Sequence, residues 1–214
     1  MENGVTSMYS QIMFNMLTIF LWATVIFIVV SSVFMYFFTR RRNLKENKLL
    51  EAYVADRKYQ EALSLYAKIK VRYNISSSWW SYGYQRIALG CAYCYLAIGD
   101  NYRFNLEIEL VKRDNLQKYK LHYLIMAALL HNNLVNAKEY FNMFLSVNPE
   151  ISMPNETEIY KAIFDYYNGS LNDAKTLFEA FLDMKVGHLI EILVLRILSE
   201  IENANFAQNA NNTE

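Results

Sequence analysis

Residues 17–38 read LTIFLWATVIFIVVSSVFMYFF, a run of 22 residues with no charge, no proline and no glycine. As a helix rising about 1.5 Å per residue it covers roughly 33 Å, enough to cross the hydrocarbon core of a bilayer. A soluble helix shows an apolar stripe, not an apolar surface all round. The polar members of the run are Thr18, Thr24, Ser31 and Ser32, whose hydroxyls can bond back to helical carbonyls. Trp22 and Tyr36 lie toward its two ends, where amphipathic rings favour the interface. This pattern predicts a single transmembrane helix at 17–38, preceded by a short N-terminal tail, 1–16.

The flanks are unequal. Arg40, Arg41, Arg42, Lys45 and Lys48 make 39–48 a basic juxtamembrane segment, whereas residues 1–16 carry one charged side chain, Glu2. A cleavable signal peptide has the opposite order: positive charge, a shorter apolar run, then small residues. In this chain Phe34 to Phe38 is too bulky for a peptidase site. A buried core helix is the other alternative, but the remaining chain offers too little to wrap it. Lys and Arg beside a span stay on the cytoplasmic side. The expected topology is therefore N-terminus outside and the rest cytoplasmic; an extracytoplasmic domain is the alternative.

The region after the span is long enough for one domain with a sizeable core. Two prolines and six glycines in 214 residues favour helices over a turn-rich β fold. The 21 basic residues balance 21 acidic ones, so no basic face for nucleic acid is expected. Seventeen tyrosines suit half-buried positions between packed helices.

Apolar periodicity divides the region after the span into pairs of helices. Leu49, Leu50, Tyr53 and Val54 share one face; after Asp56-Arg57-Lys58, so do Ala62, Leu65, Tyr66 and Ile69. Asn74 to Ser78 is a polar linker, with Ser77 or Ser78 as a helix cap. A second pair runs from Trp79-Trp80 to Gly99-Asp100 and from Tyr102 to about Lys112. A third runs from Tyr119 to Leu130 and from Val135 to Val147, ending at Asn148-Pro149. A fourth runs from Asn155 to Tyr167 and from Leu171 to Met184. A last helix covers about Val186 to Glu202. The tail, 203–214, has too little apolar surface to pack and is expected to be disordered.

In these pairs an alanine of the second helix precedes an aromatic by four residues: Ala62 and Tyr66, Ala137 and Phe141, Ala174 and Phe178. Pro149, Gly169, Leu171 and, in the first pair, Leu49, Tyr53 and Tyr59 fall at matching offsets. The pattern resembles the tetratricopeptide-repeat (TPR) family, whose helical pairs recur about every 34 residues. The resemblance covers roughly 43–186. It departs at Phe104, which stands in the alanine's place in the second pair, and at Leu50 and Ile125, and the family's early tryptophan is absent. It implies an all-α fold: one N-terminal transmembrane helix, then stacked antiparallel helical hairpins forming a TPR-like α-solenoid over 43–202, with a C-terminal capping helix.

Cys91-Ala92-Tyr93-Cys94 spells C-x-x-C, but no second Cys pair exists and His122, His131 and His188 are scattered, so the spacing of a zinc site is missing. The cysteines read as small packing residues. Glu107 with Glu109, and Glu156 with Glu158, are two apart and do not face each other on a helix; they read as solvated charge. No nucleotide-binding, metalloprotease or hydrolase motif occurs. The expectation is a non-enzymatic protein without cofactor, metal or small-molecule substrate, whose partners are the lipid bilayer and a protein or peptide. Stacked helical pairs offer a concave face lined by their first helices. The candidate groove residues there are Arg86, Tyr93, Tyr119, His122, Met126, Ile159, Ile163 and Tyr166. The competing reading is that these side chains pack under the last helix. Two roles remain: a membrane-anchored scaffold or adaptor, or an accessory subunit whose span packs against other spans. Asn-x-Ser/Thr triplets at Asn74, Asn155, Asn168 and Asn211 matter only for a domain facing a secretory lumen.

Overall fold

A computed structural model of the chain describes residues 2–75, 81–147, 153–169, 173–184 and 187–211, all helix or short connection, with no strand among the described residues. The linker serines 76–78, Trp79, Trp80, Asn148, Pro149 and Leu171 lie outside them. The chain divides into two compact units at Asp56 and Arg57.

The first unit is one helix, α1, from Glu2 to Ala55. No proline or glycine interrupts it between Gly4 and Ala55, so its 54 residues run on for about 80 Å. Helix also occupies the segment expected to be a tail, since nothing there opposes its propagation. Within Thr18–Ala55 lies the one described helix long and apolar enough to cross a membrane, and its apolar window is not buried inside the protein. The large apolar side chains from Ile19 to Phe38 are between 49% and 72% exposed. Thr24 Oγ1 donates to the Phe20 carbonyl at 2.8 Å and Ser32 Oγ to that of Ile28 at 2.7 Å. Both hydroxyls are thereby satisfied within the helix, as an apolar solvent requires. Arg40, Arg41, Arg42, Lys45 and Lys48 are exposed on the same helix.

The second unit holds α2 (Tyr59–Ile75), α3 (Ser81–Ala97), α4 (Asn101–Glu109), α5 (Asp114–Leu130), α6 (Leu134–Ser146), α7 (Pro154–Tyr167), α8 (Ala174–Asp183) and α9 (His188–Asn211). Consecutive helices α2 and α3, α3 and α4, α5 and α6, α7 and α8, and α8 and α9 pack on one another, and α5 also meets α3 and α9.

One turn device recurs. Backbone in the left-handed region occurs at Arg57 (φ 59°), Gly99 (φ 78°), Asn132 (φ 56°) and Gly169 (φ 70°). At Gly99 the Asp100 N–H reaches the Tyr95 carbonyl at 2.9 Å and the Gly99 N–H that of Leu96 at 3.1 Å. At Asn132 the Asn133 N–H reaches Ala128 at 2.8 Å and the Asn132 N–H Leu129 at 3.1 Å. Both are Schellman endings, which satisfy the last carbonyls of a helix. The next residue at once caps the following helix, Asp100 accepting from the Arg103 N–H and Asn133 from that of Asn136; Asp173 caps α8 likewise, accepting from the Thr176 N–H.

The core runs through all eight helices of this unit. Small residues set the closest approaches: Ala62, Ala88, Ala92, Cys94 and Ala137 have no exposed surface. Phe104, in the alanine's place on α4, is buried together with Ile108. Helices α6 and α7 meet through Phe141, Phe144, Tyr160 and Phe164, whose contacting rings lie 5.3 to 6.3 Å apart. Such stacked, edge and tilted contacts add to area burial.

Helix α2 runs through Asn74 to Ile75, into the expected linker, and three further boundaries differ from expectation. Helix α4 stops at Glu109, not near Lys112, because the Gln85 side-chain oxygen takes the Lys112 and Arg113 N–H groups at 2.8 and 3.0 Å. Helix α5 begins at Asp114, five residues before Tyr119. Helix α9 continues past Glu202 to Asn211; the segment has neither glycine nor proline to stop it.

The tightest crossing predicts a reversal of a propensity rule. A Cβ built on Gly90 of α3 would overlap the ring of Tyr66 on α2. Gly→Ala in an open helix stabilises by about 1 kcal/mol, whereas overpacking costs about 1–3 kcal/mol. Gly90→Ala should lower the unfolding temperature of the full chain in detergent. On a Tyr66→Ala background the same change should raise it. Stabilisation by Gly90→Ala in the native background would contradict the crossing.

Candidate functional site

The groove candidates separate by burial. Met126, Ile159 and Ile163 are at most 1% exposed, and His122 is buried at 8%. Tyr93 and Tyr166 are half-buried, Tyr119 is 39% exposed and Arg86 is exposed. The four belong to the core, and Met126, Ile159 and Ile163 present almost no surface to a partner.

Helix α9 touches four other elements of its unit. At its start the Tyr59 hydroxyl of α2 lies 2.6 Å from His188 Nδ1, with the rings stacked at 5.7 Å. One turn on, Glu191 holds Arg57, ahead of α2, at 2.8 Å. Midway, Arg196 donates to the Leu129 and Leu130 carbonyls at the end of α5, at 2.7 and 3.2 Å. Further along, Glu200 lies 3.4 Å from the Tyr167 hydroxyl of α7, and Glu202 3.4 Å from Lys175 of α8. On the covered side Leu189, Ile190, Leu193, Val194 and Ile197 are at most 4% exposed. Five such side chains are together worth on the order of 10 kcal/mol, comparable to the whole stability of a domain. Helix α9 is therefore part of the core, not a detachable cover.

From α2 to α7, aromatic rings form a continuous path. Tyr59 meets Tyr93 at 6.1 Å, Tyr93 meets Tyr123 at 5.7 Å, and His122 lies between Tyr123 at 5.4 Å and Tyr160 at 5.8 Å. The Tyr160 hydroxyl sits 2.7 Å from His122 Nδ1. Burial pushes the His122 pKa down to about 4 and the Tyr160 pKa well up, so the pair is a neutral hydrogen bond between packed rings.

The charged groups do structural work that local spacing did not reveal. Glu107 is not solvated: Lys70 of α2 donates to both of its carboxylate oxygens at 2.6 and 2.7 Å, and its side chain is 15% exposed. The same ammonium lies 5.1 Å over the Tyr84 ring. The signal lay 37 residues away in sequence, beyond any helical periodicity. Cys91 and Cys94 are both buried, and desolvation pushes each thiol up to about 12, with the Glu107 charge adding to that of Cys91. Thiols held protonated are poor nucleophiles and poor metal ligands. Among the described residues no group of three or more His, Cys, Asp or Glu could hold a metal.

Two places on the described surface of the unit combine polar groups with exposure. An open depression of about 560 Å³ is lined by Lys112, Arg113, Asp114 and Asn115, between α4 and α5. At the opposite end of α5, Asn101 Nδ2 donates to His131 Nε2 at 2.7 Å while His131 Nδ1 donates to the Ala127 carbonyl. That bond links the turns that start α4 and α6, where Tyr102 and Val135 are 74% and 79% exposed.

Comparison of the chain with protein-family models, with curated proteins and with solved structures finds no match.

The buried imidazole sets a pH dependence. A histidine whose folded pKa lies below its unfolded value of about 6.5 favours the folded state fully above pH 6.5 and progressively less as pH falls toward 4. His188, lowered by burial and then by Arg57, acts in the same direction. The unfolding temperature should therefore drop between pH 6.5 and 4, with His122 contributing on the order of 3 kcal/mol. His122→Asn, which keeps an acceptor for Tyr160 but does not titrate, should shallow that slope. An unchanged slope would contradict a neutral buried imidazole.

Proposed function

We propose that this protein is a membrane-anchored scaffold: α1 crosses a bilayer through residues 17–38 and carries a helical-repeat unit that holds a protein partner near the membrane. The observation behind the anchor is the exposure of sixteen large apolar side chains between Ile19 and Phe38, on every side of one helix. In water that surface would cost roughly several tens of kcal/mol, and a bilayer removes the cost. The basic residues Arg40 to Lys48 favour a cytoplasmic unit and an external N-terminus.

The unit reads as a TPR-like solenoid of antiparallel hairpins. In support, left-handed turn residues recur at 57, 99, 132 and 169. The buried Ala62 and Ala137 stand four residues before Tyr66 and Phe141. In this reading α9 is the capping helix and occupies the inner face. Partner recognition then falls to the outside, at the edge carrying Tyr102 and Val135. A tethered domain meets membrane-bound partners at raised effective concentration, so modest affinity suffices.

Two experiments test this function. Full-length protein in native membranes should resist alkaline carbonate and require detergent for release; recovery in the carbonate supernatant would contradict the anchor. Replacing 17–38 with an unrelated apolar segment should leave partner co-purification intact, while Tyr102→Ala with Val135→Asp should abolish it without lowering the unfolding temperature. The reverse pattern would favour the accessory subunit, whose span itself makes the contact.

A further inference from the structure

Helix α1 is unbroken from Glu2 to Ala55, so the positions of its basic residues follow from helical geometry. Arg40, Arg41 and Arg42 are consecutive. At about 100° per residue their side chains leave the helix in three directions, a ring and not a stripe. They lie roughly 3–6 Å beyond Phe38 along the axis, within the headgroup layer if the apolar run fills the hydrocarbon core. Lys45 and Lys48, four and seven residues after Arg41, extend one side of that ring by about 10 Å. All five are exposed, and Glu46 is the single acidic residue in 39–48. No counterpart exists at the other end, where residues 2–16 carry only Glu2.

We infer that Arg40, Arg41, Arg42, Lys45 and Lys48 form a cationic collar that gathers anionic phospholipids around the helix in one leaflet. The inference deepens the proposed function and rests on α1 being a span. Guanidinium groups match phosphate oxygens bidentately. Long side chains can bend back along the helix to reach them. A ring meets headgroups from every side of the helix, whereas orientation alone needs only a charge excess. Each basic residue at the headgroup level is worth roughly a fivefold preference for an anionic lipid before screening.

The test uses the purified full chain in phosphatidylcholine bilayers containing a trace of spin-labelled phosphatidylserine or spin-labelled phosphatidylcholine. Spin resonance reports the motionally restricted lipid around the helix. The collar predicts a preference of about threefold or more for phosphatidylserine at low salt, falling toward unity in about 1 M salt. Arg40→Gln, Arg41→Gln, Arg42→Gln, Lys45→Gln and Lys48→Gln together should bring the ratio close to one while restricted phosphatidylcholine persists. Equal preference in the native chain, with restricted lipid present, would overturn the collar and leave the span standing. Absence of restricted lipid of either kind would overturn the span, and the collar with it.

Discussion

The burial of one face of α9 is the interaction on which the rest of the second unit depends. Leu189, Ile190, Leu193, Val194 and Ile197 give up nearly all their surface, and the polar contacts of the helix are spread along its length. His188 and Glu191 fix its start to Tyr59 and Arg57, Arg196 reaches the end of α5, and Glu200 and Glu202 reach α7 and α8. The apolar side chains supply the stability and the polar ones the register. Without this helix, buried residues of α5 and α7 would face water, and no element of the described chain stands in reserve to replace it.

This arrangement decides what the buried residues of α5 and α7 can do. A repeat domain with an open groove spends its apolar inner residues on ligands. In this chain Met126, Ile159 and Ile163 are committed to the fold itself. The buried polar groups follow the same logic. His122 is neutral beside Tyr160, Glu107 is matched by Lys70, and the two cysteines are desolvated thiols. The His122–Tyr160 and Lys70–Glu107 contacts each lower the cost of packing a polar atom inside.

Much of this was legible in the sequence because it is local. The long apolar run, the turns at Asp56-Arg57-Lys58, Gly99-Asp100 and His131-Asn132-Asn133, and the alternation of helices between them are set by neighbouring residues. The alanine and aromatic positions of α2 and α6 were also readable, since small residues at i and rings at i+4 share a helical face. What escaped was non-local. Glu107 looked solvated until Lys70 arrived from another helix. Gln85 ends α4 from 27 residues away. Whether the first helices of each pair line a groove or a core turned on where α9 lies, and its own sequence, apolar on one side, fits either arrangement.

The most direct test of a filled inner face is hydrogen exchange of the full-length protein in detergent or bilayer, read peptide by peptide. If α9 is part of the core, the amides of His188 to Glu200 should exchange only through the opening that also exposes α5, with matching protection. Exchange in α9 faster than in α5 by orders of magnitude would mean that the helix lifts away while the unit stays folded. The inner face would then be a groove with a removable cover, which contradicts a core completed by α9.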